Sequence, residues 1–179
     1  LLKRAKQMAQ EKNGSEFQPY TVLQLTHSGR YAKPDGTPRP IVAAYNPWLD
    51  TQPQDKIRII SDDEIEELEG KYVQAALLAA EQGFDAVDLK VGHGYLGAEL
   101  LAAFERPGRY GGSFENRTRF ICNLVRKVRE RTGGSLGIAV RMNAYDSVPY
   151  PYGWGVDRED FHRPDYREPA RLAETLTHL

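Results

Sequence analysis

The sequence predicts an α/β fold with parallel strands, and three observations support this. Helix-like and strand-like segments alternate along the 179 residues, as in repeated β/α units. Each strand-like run has aliphatic residues on one phase and polar residues on the other. Long polar or aromatic segments follow these runs, in place of the tight hairpin turns that connect antiparallel strands. The runs are "YTVLQLTH" (20–27), "DAVDLKV" (85–91) and "LGIAVRMNA" (136–144).

Four segments have helical periodicity. Residues 1–13 place apolar side chains at helical spacing, and the glycine that follows ends the segment. The second helix begins at Ser61, which forms a capping box with Glu64, and it ends at Gly83. A long connection, roughly residues 28–60, separates this helix from the first strand. The remaining two helices lie in "SFENRTRFICNLVRKVRERT" (113–132) and "EPARLAETLTHL" (168–179).

Two architectures contain such units, a doubly wound sheet and a (β/α)₈ TIM barrel. Gly92, Gly94 and Gly97 match the G-x-G-x-x-G turn of the first architecture, but that turn also carries a histidine and a tyrosine. No acidic residue closes a following strand at the expected distance. The long polar loops after the strands favour the barrel, whose enzymes keep their chemistry there. We therefore predict a partial barrel of about three parallel strands with flanking helices.

The helical patterns at both ends are incomplete. We therefore expect residues 1–179 to form the central segment of a barrel domain that is truncated on both sides. A formal net charge of −1 and 27% charged residues argue against a nucleic-acid partner, and no apolar run approaches the roughly 20 residues of a membrane span. The expected location is cytoplasmic, and a homo-oligomer is compatible with the sequence. Cys122 lies among apolar residues, which predicts a buried, inert thiol.

Strand alternation places Gln24, Lys90 and Arg141 on one face, directed towards the barrel centre, while the aliphatic phase packs beneath the helices. Burying unpaired amide, ammonium and guanidinium groups is costly, so three such donors imply a bound ligand that is rich in hydrogen-bond acceptors. A flavin isoalloxazine is such a ligand. Asp88 shares this face, and a structural ion network with Lys90 or Arg141 is an alternative for that residue.

Three motifs resemble the old yellow enzyme family, which comprises FMN-dependent NAD(P)H:flavin oxidoreductases on a (β/α)₈ barrel. They are "LQLTHSGR" (23–30), "VDLKVGHGYL" (87–96) and "YGGSFENRTRF" (110–120). The resemblance covers nearly the whole chain, in order, on the expected elements. It implies FMN as cofactor and NAD(P)H as reductant. It also implies ene-reductase activity, in which hydride passes through the flavin to an activated alkene.

The resemblance also implies roles for five residues. Gln24 matches the glutamine that binds the flavin pyrimidine edge, and Arg141 matches the arginine beside flavin N1 and O2. Lys90 and His93 match the positions at which members of the family bind the substrate oxygen that activates the alkene. Tyr95 falls at the tyrosine that donates a proton to the substrate α-carbon. The "YGGSFENR" stretch resembles a structural turn and helix start, and no metal-ligating residue is implied.

Two departures from the family pattern concern the substrate. Lys90 stands in place of the usual first histidine of the pair, and its ammonium favours a carboxylate or another anionic acceptor. The segment "AAFERPGR" (102–109) replaces a longer segment that borders the family's substrate pocket.

Other functions stay open at this point. A dienoyl-CoA reductase-like or amine dehydrogenase-like member would carry an iron–sulfur cluster C-terminal to these residues. A metal-dependent hydrolase would use His27 and His93, although His27 lies on the opposite phase from Gln24 and is expected to be structural. A non-catalytic barrel segment would use residues 146–166 as an interaction surface or lid. The FMN phosphate site would lie on later strands, so tight FMN binding by residues 1–179 alone is not expected.

Overall fold

The computed structural model describes all 179 residues and has a three-stranded parallel sheet of order β1-β2-β3. Short 3₁₀ turns cover Gly29–Tyr31 and Gln54–Lys56 within the long connection after the first strand. None of the helices is long and apolar enough to cross a membrane. In chain order the elements are α1 (Leu2–Asn13), β1 (Val22–Leu25), α2 (Asp62–Glu81), β2 (Ala86–Val91), α3 (Leu96–Leu101), α4 (Phe114–Thr132), β3 (Gly137–Met142) and α5 (Arg167–Thr177).

The helix ends form where the capping residues predict them. The Ser61 hydroxyl accepts a hydrogen bond from the Glu64 backbone N–H at 3.1 Å, and the Glu64 carboxylate accepts from the Ser61 N–H at 2.9 Å. This reciprocal pair satisfies two of the free N–H groups at the start of α2. Ser113 caps α4, and Gly133 ends it with φ 59°, a left-handed conformation that glycine adopts without steric cost.

The core lies between the sheet and the helices, as the strand phases predict. Val87, Leu89 and Val91 are buried beneath α2 and α4, whereas the polar phase of the sheet faces the other way. Cys122 is buried in α4, and burial raises the pKa of its thiol, as the apolar surroundings predict. The fold is thus a sector of β/α units with one polar sheet face.

A buried carboxylate joins α2 to α4. Glu69 is fully buried, and its oxygens accept hydrogen bonds from the Tyr110 hydroxyl at 2.9 Å and the Lys127 ammonium at 2.6 Å. The sequence pattern of α2 did not predict this contact, because the partner residues lie 41 and 58 positions further along the chain.

The "YGGSFENR" stretch holds the backbone between α3 and α4. A Cβ on Gly111 would lie 2.2 Å from the Arg106 carbonyl oxygen, so only glycine fits there. The buried Arg117 donates to the Leu101 carbonyl at 2.6 Å and to the Glu168 carboxylate at 2.8 Å. These contacts are structural, as expected for this motif.

Candidate active site

The polar face of the sheet carries the three predicted donors. The β1–β2 register pairs Gln24 with Asp88, and the β2–β3 register pairs Lys90 with Arg141. Paired residues of parallel strands point to the same side, so all four side chains share one face. These four residues are called the inward face below.

Asp88 connects the two flavin-binding candidates of the inward face. The Gln24 amide donates to Asp88 Oδ2 at 2.6 Å, and Arg141 Nε lies 3.5 Å from the same oxygen. The other Asp88 oxygen, Oδ1, is buried and has no hydrogen-bond partner. More than half of the Arg141 side chain remains exposed. The ion pair expected as an alternative for Asp88 therefore forms, and it also orients Gln24 and Arg141.

Lys90 contacts Tyr95. The Lys90 ammonium lies 3.5 Å from the centroid of the Tyr95 ring, and only 7% of the lysine is exposed. An ammonium over an aromatic face is attracted by the ring quadrupole, most strongly when water is excluded. Tyr95 is the residue that precedes α3, and the Tyr31 ring packs 5.8 Å from it. The proposed oxygen-binding and proton-donating residues therefore touch each other.

His93 lies in the turn between β2 and α3, and its side chain is exposed. Its φ of 62° is unusual for a residue other than glycine. The turn is held by Asn143, whose Oδ1 accepts from the His93 backbone N–H at 3.1 Å. The Asn143 amide in turn donates to Asp146 at 2.7 Å. Asn143 follows Arg141 on the same phase of β3. This shared phase is the sequence signal that places Asn143 at the site, although it does not predict the contact with the His93 turn.

His27 is structural, as its strand phase predicts. Its Nδ1 accepts from the Gly29 backbone N–H at 3.0 Å, and burial, together with Arg58, lowers the pKa of its imidazole. A Cβ on Gly29 would lie 2.6 Å from the Leu96 backbone nitrogen, so the loop after β1 packs directly on α3. No three His, Cys, Asp or Glu side chains come together in a metal-binding arrangement.

The segment 146–166 folds back onto the end of β3. Trp154 is fully buried, and its indole N–H donates to the Asn143 carbonyl at 3.0 Å. Residues 153–156 are therefore buried against the end of β3, whereas Arg158, His162 and Tyr166 of the same segment are exposed.

A cavity of about 300 Å³ lies beside His93, between the loop after β1, α3 and the loop after β3. Glu99 of α3 lines it and accepts from the Ala43 backbone N–H at 2.8 Å. Burial raises the pKa of Glu99 to about 7, although the nearby Arg30 opposes this shift. The sequence did not predict this cavity.

Glu99 makes stability depend on pH. Its folded pKa lies above its ordinary value of 4.5, so the folded chain binds more protons than the unfolded chain between these two pH values. We expect the free energy of unfolding to fall as pH rises from about 4.5 to about 7, by on the order of 2 kcal/mol in total, and to level off above that pH. Glu99→Gln should flatten this slope in urea titrations from pH 5 to pH 8. Glu130→Gln, at an exposed position on α4, is the control, and an equal slope in Glu99→Gln and the parent would contradict the assignment.

The fold and the inward face define a sector of a barrel enzyme with its polar site at the carboxyl ends of parallel strands. Residues 7–152 match the model of the NADH:flavin oxidoreductase / NADH oxidase family. The chain therefore belongs to that family, as the three motifs suggested.

Individual relatives agree with this assignment. An NADPH dehydrogenase of Bacillus pumilus is 36% identical over 143 residues, which are 79% of this chain and 39% of the relative. Morphinone reductase superposes with a TM-score of 0.68 at 25% identity, over 96% of this chain and 47% of that structure. Histamine dehydrogenase from Rhizobium sp. 4-9 gives a TM-score of 0.56 at 27% identity, over 68% and 19%. The chain spans well under half the length of the relative from Bacillus.

Proposed function

We propose that the protein carrying this chain is an FMN-dependent ene-reductase of the cytoplasm, which passes hydride from NAD(P)H through the flavin to an activated alkene. The observation that carries the proposal is the inward face, where an amide, an ammonium and a guanidinium project from three neighbouring strands. Family membership supports flavin and NAD(P)H use, and the reductase among the structural neighbours supports the direction of the reaction.

The residues of the inward face fit the pyrimidine ring of a flavin. That ring offers carbonyl and ring-nitrogen acceptors together with one N–H donor. Gln24 and Arg141 supply the donors, and the buried Asp88 Oδ1, which lacks a partner, supplies an acceptor for an N–H group. Arg141 also places positive charge where a reduced flavin gathers negative charge, which favours the reduced state. When bound, FMN supplies hydride acceptance and donation.

The neighbouring residues act on the substrate. The Lys90 ammonium attracts the negative charge that develops on the substrate oxygen, and it suits a carboxylate or another anionic acceptor. His93 is proposed as the second group that binds this oxygen. The Tyr95 hydroxyl donates a proton to the α-carbon, and the contact between its ring and Lys90 fixes both groups.

A second candidate is an amine dehydrogenase-like or dienoyl-CoA reductase-like enzyme with an iron–sulfur cluster outside these residues. The similarity to histamine dehydrogenase favours it. In that case the same inward face would bind the flavin, and electrons would leave through the cluster.

The two candidates differ in their absorption spectra and half-reactions. We expect the complete purified protein to show flavin absorbance, to be bleached by NADH or NADPH without oxygen, and to be reoxidised by 2-cyclohexenone or by an unsaturated carboxylate such as cinnamate. A colourless protein that does not bind added FMN would contradict both candidates. Additional iron–sulfur absorbance, with bleaching by an amine, would select the second.

A further inference from the structure

A second cavity, of about 560 Å³, lies just beyond the carboxyl end of β1 and is called the β1 cavity below. Its walls come from three parts of the chain, which are His27, the loop 32–41 and Arg58. It shares no lining residue with the cavity beside His93. His27 also lies on the strand phase opposite to Gln24, so the β1 cavity is separate from the inward face.

The β1 cavity is lined by positive charge. None of its nine lining residues is acidic, and Lys33, Arg39 and Arg58 are among them. Arg39 forms an exposed ion pair with Asp35 at 3.0 Å. Arg58 forms one with Glu64 at 2.6 Å, whereas Lys33 forms none. Exposed ion pairs contribute little to stability, so both guanidinium groups can exchange these carboxylates for an anion that binds more strongly.

His27 adds a neutral N–H donor to the wall of the β1 cavity. Its Nδ1 accepts a hydrogen bond from the Gly29 backbone N–H at 3.0 Å, so the proton of the neutral ring is on Nε2. Burial, together with the positive charges of Arg58 and Lys71, lowers the pKa of this imidazole. The same two charges that disfavour an imidazolium here favour a bound anion.

The backbone holds the walls of the β1 cavity in place. The Arg39 N–H donates to the Ala32 carbonyl at 2.8 Å, which closes the loop 32–41 on itself. The Val42 N–H donates to the Arg58 carbonyl at 3.0 Å and fixes this arginine beside the loop. Two prolines of the loop also line the cavity and restrict its backbone further. Walls that are already ordered reduce the entropic cost of binding a ligand.

We propose that the β1 cavity binds a phosphoryl group, either of a small phosphate ester or of free phosphate, with Lys33, Arg39 and Arg58 neutralising its charge. A phosphate dianion offers several acceptor oxygens, and guanidinium groups bind it through paired hydrogen bonds. A monocarboxylate has less charge and fewer acceptor oxygens, so it would satisfy fewer of these donors. This binding involves neither the flavin nor the alkene, so it can be tested separately from the proposed function.

Calorimetric titration of the complete protein with sodium phosphate and with sodium acetate, at about pH 8 and constant ionic strength, tests the proposal. Excess FMN is present, so that a cofactor phosphate site does not take up the probe. We expect phosphate to bind at least about tenfold more tightly than acetate. Lys33→Gln/Arg58→Gln should weaken phosphate binding about tenfold or more, because charge-assisted hydrogen bonds are lost. Lys3→Gln/Arg131→Gln removes the same charge at exposed positions elsewhere and should keep the parent affinity.

A second measurement locates the bound phosphate without any variant. Phosphate should slow the acylation of Lys33 by acetic anhydride severalfold and leave that of Lys3 unchanged, as measured by mass spectrometry of the peptides. Equal affinity for phosphate and acetate would overturn the proposal. Equal weakening by the two double variants, or no protection of Lys33, would overturn it as well.

Glycerol 3-phosphate distinguishes the two sources of the phosphoryl group. Tighter binding of this ester than of inorganic phosphate would support the site and assign it to a phosphate ester. Weaker binding of the ester would support the site and assign it to free phosphate. Failure of both probes to protect Lys33 would contradict the proposed site.

Discussion

Tyr95→Phe is expected to slow reoxidation of the reduced flavin by an activated alkene about 100-fold or more. General acid catalysis by a positioned side chain contributes a factor of about 10²–10⁴, and phenylalanine keeps the ring while removing the proton. The ring should still pack against the Lys90 ammonium, so the substrate site should keep its shape. Reduction of the flavin by NAD(P)H requires no proton from Tyr95 and should proceed at the parent rate. Stopped-flow absorbance under nitrogen measures the two half-reactions separately.

Tyr166→Phe is the matched control, because this tyrosine is exposed and precedes α5, outside the site. It should leave both half-reactions unchanged. If Tyr95→Phe slowed flavin reduction and alkene reduction equally, the hydroxyl would act on the flavin environment and the proton-donor role would be wrong.

Arg141→Ala is expected to weaken FMN retention about 10- to 100-fold and to lower the reduction potential of the bound flavin. The first effect follows from losing a hydrogen bond between a charged donor and the ring, worth about 1.5–3 kcal/mol. The second follows from Asp88, which lies 3.5 Å from the Arg141 guanidinium. Without that cation, the Asp88 carboxylate opposes the negative charge of the reduced flavin. FMN content after dialysis and a redox titration measure the two effects.

A double variant separates the two causes. Adding Asp88→Asn to Arg141→Ala should recover part of the reduction potential, because it removes the uncompensated carboxylate, but it should not restore the lost hydrogen bond. Arg131→Ala, at an exposed position near the end of α4, controls for general loss of positive charge. Parent-like FMN content and potential in both Arg141→Ala and Gln24→Ala would contradict the assignment of these residues to the flavin.

The sequence predicted the sheet and its polar face because both depend on local patterns. Alternation with a period of two fixes which side chains share a face, and parallel pairing then brings Gln24 beside Asp88 and Lys90 beside Arg141. The caps at Ser61 and Ser113 were predictable for the same reason, since each cap involves residues only three positions apart.

The contacts that the sequence did not predict join distant segments. Glu99 meets the loop after β1 through Ala43, 56 residues earlier in the chain, and Asn143 holds the His93 turn from 50 residues away. Such contacts depend on the packing of the long loops, and loop packing leaves no periodic pattern in the sequence. Lys90 illustrates a further limit. Its position on the strand was predicted, but its flexible side chain reaches the Tyr95 ring, a contact that strand phase does not specify.

In the proposed holoenzyme, Gln24, Lys90 and Arg141 face one flavin ring from three neighbouring strands. A crystal structure of the complete protein grown with FMN measures this most directly. We expect the Gln24 amide and the Arg141 guanidinium within hydrogen-bonding distance of the pyrimidine edge, with Lys90 and Tyr95 above the ring. A flavin bound elsewhere, with these side chains in contact only with one another or with solvent, would contradict it.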